Sequence, residues 1–255
     1  MSRQLLKGIL KKKSLGIKSL AVLIDPDYLK LKNLEQTLLL SNQQDVDYFF
    51  LGGSLILQDR MDETIKLIRE MTNIPIILFP GNGQQIHSGA DAILLLSLLS
   101  GRNPDYLIGK HVESAMRLKA SQLEVLATAY LLIDGAQSNT AAYISQTQPI
   151  PANKTDIALA TAMAGELLNM QLLYLDAGSG ARKPVPEPMI KKISDHIRLP
   201  LFVGGGIRDA ETAHSILQAG ADVIVVGNLF EEDPHQIKSI AQLVKNQSPL
   251  QVKRS

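Results

Sequence analysis

The feature that most constrains this chain is a repeat. A short apolar run is followed by a stretch of helical length, over and over, from one end to the other. The runs fall at residues 20–24, 47–51, 76–79, 92–96, 125–133, 172–175, 201–203 and 223–226. Several are continuously apolar rather than alternating, which is what a strand of a parallel sheet buried on both faces requires. Helical patterns span 33–43, 62–71, 105–120, 154–168, 187–196, 209–219 and 234–245. Eight strands alternating with helices in 255 residues describe a TIM-type (β/α)8 barrel, a single domain over residues 1–255. A doubly wound open sheet is the alternative.

Composition removes several function classes. Charges nearly cancel, with 26 Lys and Arg against 25 Asp and Glu, so no nucleic-acid partner is expected. There is no cysteine, which excludes disulfides, thiolate metal sites and cysteine nucleophiles. The start, MSRQLLKGILKKKS, is broken by Lys7 and by Lys11, Lys12 and Lys13. A signal peptide needs an unbroken apolar stretch, so none is expected; this segment reads as a solvated helix face, with contact to an anionic membrane surface as the alternative. The longest apolar run, 92–99, is far shorter than the roughly 20 residues of a membrane span. A soluble, cytoplasmic protein without stable membrane insertion is expected.

Two connections break the pattern. Only Pro80 to Asp91, PGNGQQIHSGAD, joins the third and fourth runs. A parallel crossover ordinarily needs a dozen or more residues, most often a full helix. The ring of outer helices should therefore lack its third member, a short loop taking its place. That leaves either a loop packed over by its neighbours or a side groove for an apolar ligand. The second break, residues 134–153, is polar, with Pro149 and Pro151 near its end, and reads as an irregular lid or binding loop.

Barrel enzymes work at the C-terminal ends of their strands. Here the last three strands end in YLDAGSGA, VGGGI and VVGN. Glycines there let backbone approach a ligand and form anion-binding nests, so a phosphate monoester site is expected on Ser179, Gly180, Gly205, Gly206, Gly227 and Asn228. Tyr174 and Asp176, two apart, share a strand face. Asp176 suits a general base or hydroxyl binder. Tyr174 suits core packing or substrate contact equally. The first strand ends in Asp25-Pro26-Asp27 and the second in Gly52-Gly53-Ser54, hard oxygen donors of the kind magnesium takes beside a phosphate-bearing substrate. His111-Val112-Glu113 lacks the following cysteines of a zinc deaminase, and His87, His196, His214 and His235 show no ligand spacing.

Taken together, nine ordered segments resemble the geranylgeranylglyceryl phosphate synthase family: LIDPD (23–27), FLGGS (50–54), LFPG (78–81), SGRNPDYLIGKH (100–111), ATAYLLID (127–134), PIPANKTDIALATAMAGE (149–166), YLDAGSGA (174–181), VGGGI (203–207) and VVGN (225–228). Its longer-chain branch is the most similar. The resemblance implies a modified TIM barrel with the third outer helix replaced. It implies transfer of a prenyl chain from a prenyl diphosphate, geranylgeranyl diphosphate above all, to the 3-hydroxyl of sn-glycerol 1-phosphate. Diphosphate is released, Mg2+ is the cofactor, and the product enters ether-lipid biosynthesis. A homo-oligomer, dimer or larger, is implied too. Carried over by position, the glycerol phosphate site falls on Tyr174, Leu175, Asp176, Ala177, Gly178, Ser179, Gly180, Gly205, Gly206, Gly227 and Asn228. Asp176 is the catalytic group, and the magnesium site falls on Asp25 and Ser54. Two positions depart from the family: Asp176 replaces a usual glutamate, and Tyr28 follows DPD where lysine is common, leaving Lys30 as a cation for the diphosphate. Prenyl chain length stays open. Rival readings are another phosphate-binding barrel, a sugar-phosphate isomerase or flavin enzyme, and a non-catalytic polyprenyl-phosphate binder.

Overall fold

In a computed structural model of the chain, residues 4–27, 33–56, 58–138 and 140–248 are described. Tyr28 and Lys30 lie outside them.

The eight strands are β1 Ser19–Ile24, β2 Tyr48–Leu51, β3 Ile76–Leu78, β4 Ala92–Leu98, β5 Glu124–Leu132, β6 Leu172–Asp176, β7 Leu201–Gly204 and β8 Val223–Val226. Each pairs in parallel with the next, and β8 closes onto β1. The open-sheet alternative is thereby excluded. Residue parity divides the barrel in two. One set of side chains, including Phe50, Leu94, Tyr130, Tyr174 and Phe202, fills the interior. The alternate set, including Phe49, Ile93, Leu131, Leu175 and Val203, packs outward against the helices.

Those helices are α2 Leu34–Gln43, α3 Met61–Met71, α4 Lys110–Ser121, α6 Thr155–Leu167, α7 Glu187–His196, α8 Ala210–Gln218 and α10 Gln236–Asn246. The helix read over 105–120 begins as a π turn, Asp105–Gly109, before α4. The 134–153 segment is more ordered than its polarity suggested. It carries a short helix, α5 (Thr140–Ser145), and Ile150 bridges alongside Ile133. A further short helix, α9 (Asn228–Glu232), follows β8.

The N-terminal segment is not simply a solvated face. Helix α1, Gln4–Ser14, turns Leu6 and Ile9 into the interior cluster at the foot of the barrel. The Glu124 carboxylate accepts the N–H groups of Leu5 and Leu6, both at 2.9 Å, capping donors that a helix start leaves unpaired. Lys12 pairs with Asp47 at 2.5 Å and Lys13 with Asp222 at 2.7 Å. The lysines thus anchor the helix to the barrel.

Candidate active site at the strand ends and the outer wall

Between β3 and β4 the described backbone makes only a single 3-10 turn, Gly83–Gln85. The outward residues of β4 are therefore left without a crossover helix. Ile93 and Leu95 face a groove bounded by the 80–91 segment and by α4, with Gly83, Ile86, Ser114 and Leu118 on its walls. This is the side groove; the packed-over reading fails because the segment is too short to cover the strand. The groove is continuous with the mouth of the barrel, and together they form a cavity of about 740 Å³. That is ample for a ligand larger than glycerol phosphate.

The other end of the cavity is the glycine corner. Gly178, Ser179, Gly180, Gly205, Gly206, Gly227 and Asn228 all line it. Gly205 and Gly206 have φ of +81° and +71°. A Cβ on Gly205 would stand 2.7 Å from the Gly178 nitrogen, so the β6 and β7 turns touch only because glycine is there. Asn228 ties the corner together: its Oδ1 accepts from the Ser179 hydroxyl at 3.3 Å and the Gly180 N–H at 3.0 Å. Leu175 and Ala177 do not line the cavity. They fall on the outward parity of β6 and are fully buried in the shell beneath the helices, so neither side chain faces the cavity.

Asp176 is the inward residue at the top of β6, buried to 7% exposure. Its Oδ1 accepts from the Gly178 N–H at 2.7 Å, and its Oδ2 from the Tyr130 hydroxyl at 2.6 Å. Burial raises its pKa, opposed by those two hydrogen bonds. Tyr130 is brought there by register, since it stands opposite Tyr174 across β5 and β6. Burial also holds both phenols well above their ordinary pKa, so Tyr130 stays a donor. Tyr174 both packs and lines the cavity. Its ring meets Phe79 at 5.3 Å and Tyr130 at 5.6 Å between centroids. Gly204 makes room for it, because a Cβ there would fall 2.4 Å from the Tyr174 hydroxyl.

Across the mouth, Asp25, Asp27 and Ser54 line the cavity. Oδ1 of Asp25 accepts the Asp27 N–H at 3.2 Å. Gly53 lies against this carboxylate, its would-be Cβ 3.1 Å from Asp25 Oδ2, so the carboxylate faces room that a larger residue would fill. Gln85, buried in the 80–91 segment, braces the loops, accepting from Gly81 N–H at 3.0 Å and donating to Gly53 O at 3.2 Å. Among the described residues, no three His, Asp or Glu side chains cluster as a ready-made metal cage. An all-oxygen donor set of one or two carboxylates and a hydroxyl fits magnesium completed by substrate phosphate oxygens.

His111, set aside because no cysteines follow it, also lines the cavity. Its Nε2 lies 3.3 Å from the Ser97 hydroxyl on the outer face of β4, and burial lowers its pKa, favouring the neutral ring. Tyr130, His111 and Gln85 are the residues sequence reasoning missed. Each depends on a partner far along the chain or on a face that only the missing helix uncovers.

A closed parallel barrel, a glycine-lined corner at β6 to β8 and an apolar groove down the outer wall define the class: a (β/α)8 barrel with one cavity joining a glycine-rich corner to an apolar groove. More particularly, the chain belongs to the PcrB family, whose model matches residues 13–244. It is 47% identical over 250 residues to the geranylgeranylglyceryl phosphate synthase of Chitinophaga pinensis, covering 98% of this chain and 99% of that protein. It is 49% identical over 238 residues to that of Spirosoma linguale, covering 92% and 96%. Among solved structures it resembles the (S)-3-O-geranylgeranylglyceryl phosphate synthase of Thermoplasma acidophilum in complex with sn-glycerol-1-phosphate. That match has a TM-score of 0.87 and 31% identity, over 95% of this chain and 98% of that one.

Proposed function

We propose that this protein is a geranylgeranylglyceryl phosphate synthase, joining the prenyl group of a prenyl diphosphate to the 3-hydroxyl of sn-glycerol 1-phosphate through an ether bond. The observation that carries this reading is the single cavity running from the glycine corner to the apolar groove on β4. Head and tail of the product need those two environments in one continuous space. The family and the near full-length relatives support the same activity.

In this reading the glycine corner holds glycerol phosphate, and the groove holds the prenyl chain with its diphosphate at the β1–β2 rim. The allylic C–O bond breaks, the acceptor oxygen bonds the allylic carbon, and diphosphate leaves with the bonding electrons. The hydroxyl proton passes to Asp176, whose raised pKa makes it a better acceptor than an exposed carboxylate. Tyr130 and the Gly178 N–H hold that carboxylate in place, and alignment of the hydroxyl is positional catalysis. Asp25 and Ser54, with Asp27 beside them, would hold Mg2+, which when bound neutralises charge on the departing diphosphate. Asp25→Asn should abolish turnover without unfolding the protein. Turnover within about twofold of wild type at limiting magnesium would put the metal elsewhere.

A homo-oligomer is part of this reading, supported by the exposed apolar residues Val112 and Met116 on α4 and Leu167 and Leu168 at the C-terminal end of α6. The activity is tested by incubating the protein with sn-glycerol 1-phosphate, magnesium and a series of prenyl diphosphates, followed by mass spectrometry. A prenyl glyceryl phosphate ether is expected. Prenyl binding without product would favour the carrier reading.

A further inference from the structure

The geometry points to Arg208 as the group that recognises the charge of the acceptor's phosphate, an inference that rests on the acceptor reading above. The sequence suggests a cradle made of backbone N–H groups, but the β6 turn has spent most of its own. Ala177 N–H donates to Gly204 O, Gly178 N–H to Asp176, Ala181 N–H to Gly178 O, and the Arg182 and Lys183 N–H groups both to Gly135 O. Gly180 N–H is held by Asn228. The anion is thereby directed towards the β7 and β8 turns.

Charge adds to the problem. The side chains lining the cavity include five carboxylates, Asp25, Asp27, Asp176, Glu231 and Glu232, against two full-time cations, Lys110 and Arg208. Lys110 belongs to the groove and pairs with Glu113 at 3.0 Å. At the glycine corner the cation among the described residues is Arg208, two residues beyond Gly206. One guanidinium nitrogen donates to Ala181 O at 3.0 Å, which fixes the side chain across the gap between the β6 and β7 turns. A guanidinium carries five N–H donors in a planar fork, so this anchor leaves most of the fork for phosphate oxygens. Arg182, one residue beyond Ala181, is exposed like Arg208 but does not line the cavity.

The test is calorimetric titration of the full-length protein with sn-glycerol 1-phosphate and, separately, inorganic phosphate, alongside steady-state kinetics. Arg208→Gln should weaken binding of both ligands by about 10- to 100-fold, the range for a charge-assisted hydrogen bond. The kinetic loss should fall on KM for glycerol phosphate far more than on kcat. Arg208→Lys should recover part of the loss, keeping the charge but not the fork. Arg182→Gln should bind within about twofold of wild type, because its charge lies outside the cavity, where solvent and salt screen it from the ligand. Binding by folded Arg208→Gln within about twofold of wild type would overturn the inference. Equal losses in Arg182→Gln and Arg208→Gln would also overturn it, since that is a long-range charge effect. A wild type that binds phosphate but neither binds nor prenylates glycerol 1-phosphate would strike the acceptor reading instead, and the phosphate titration would still decide the role of Arg208.

Discussion

Asp176 sits where three constraints meet: the inward parity of β6, a hydrogen bond from the following turn, and a phenol delivered from β5. Removing its basicity while keeping its size should be costly. Asp176→Asn is expected to lower kcat by about 10²- to 10⁴-fold, with a smaller change in KM for glycerol phosphate. Asp176→Glu, the residue usual in the family it resembles, should remain active. An Asp176→Asn enzyme that loses affinity yet keeps kcat would make the residue a binding group only. Tyr130→Phe tests the support. The phenol's hydrogen bond favours the carboxylate, so losing it should raise the already elevated Asp176 pKa further. A base works only above its pKa, so the acid limb of the kcat profile should move to higher pH. An unmoved or lowered limb would dissociate Tyr130 from the base. Asp176 and the glycines were legible in the sequence because they sit at the ends of apolar runs, where barrel chemistry collects. Tyr130 was not, because the inter-strand register that sets it beside Asp176 leaves no trace in local pattern.

At the scale of elements, the decisive feature is one that is missing. The 80–91 connection is too short to cover β4, and the strand's outward residues become the wall of the groove. The gap could be read from the length of that connection alone. The direction of the groove could not, because it needs the parity of β4 and the placement of α4. Leu95 points into this space. Leu95→Trp should shorten the usable groove by about one isoprenoid unit, forfeiting about 4 kcal/mol at about 0.8 kcal/mol for each of its five carbons. KM for a long prenyl diphosphate should rise on the order of 1,000-fold, while a ten-carbon donor is affected much less. Equal effects on both donors, measured side by side, would mean that the chain runs elsewhere. Helix α1 teaches the opposite lesson. Its lysines suggested solvent, yet its apolar stripe closes the barrel floor and its charges find Asp47 and Asp222, partners dispersed across the sequence.

For the molecule as a whole, the barrel separates tasks by position. The foot is sealed by α1, the interior is packed with aromatic and aliphatic side chains, and the mouth and one strip of outer wall are lined by one continuous cavity. No helix among the described residues is long and apolar enough to cross a membrane. The alternation of strands and helices made that fold readable, because eight parallel strands in one small domain have few ways to close. The central claim is that one cavity seats both substrates at once. It is tested most directly by a crystal structure with sn-glycerol 1-phosphate and a non-hydrolysable geranylgeranyl diphosphate analogue bound together. The account predicts phosphate at the β7–β8 turns beside Arg208, the acceptor hydroxyl at Asp176, and the prenyl chain along Ile93 and Leu95 on the outer face of β4. A chain lying inside the barrel or over another strand, or glycerol phosphate bound away from Asp176, would contradict it.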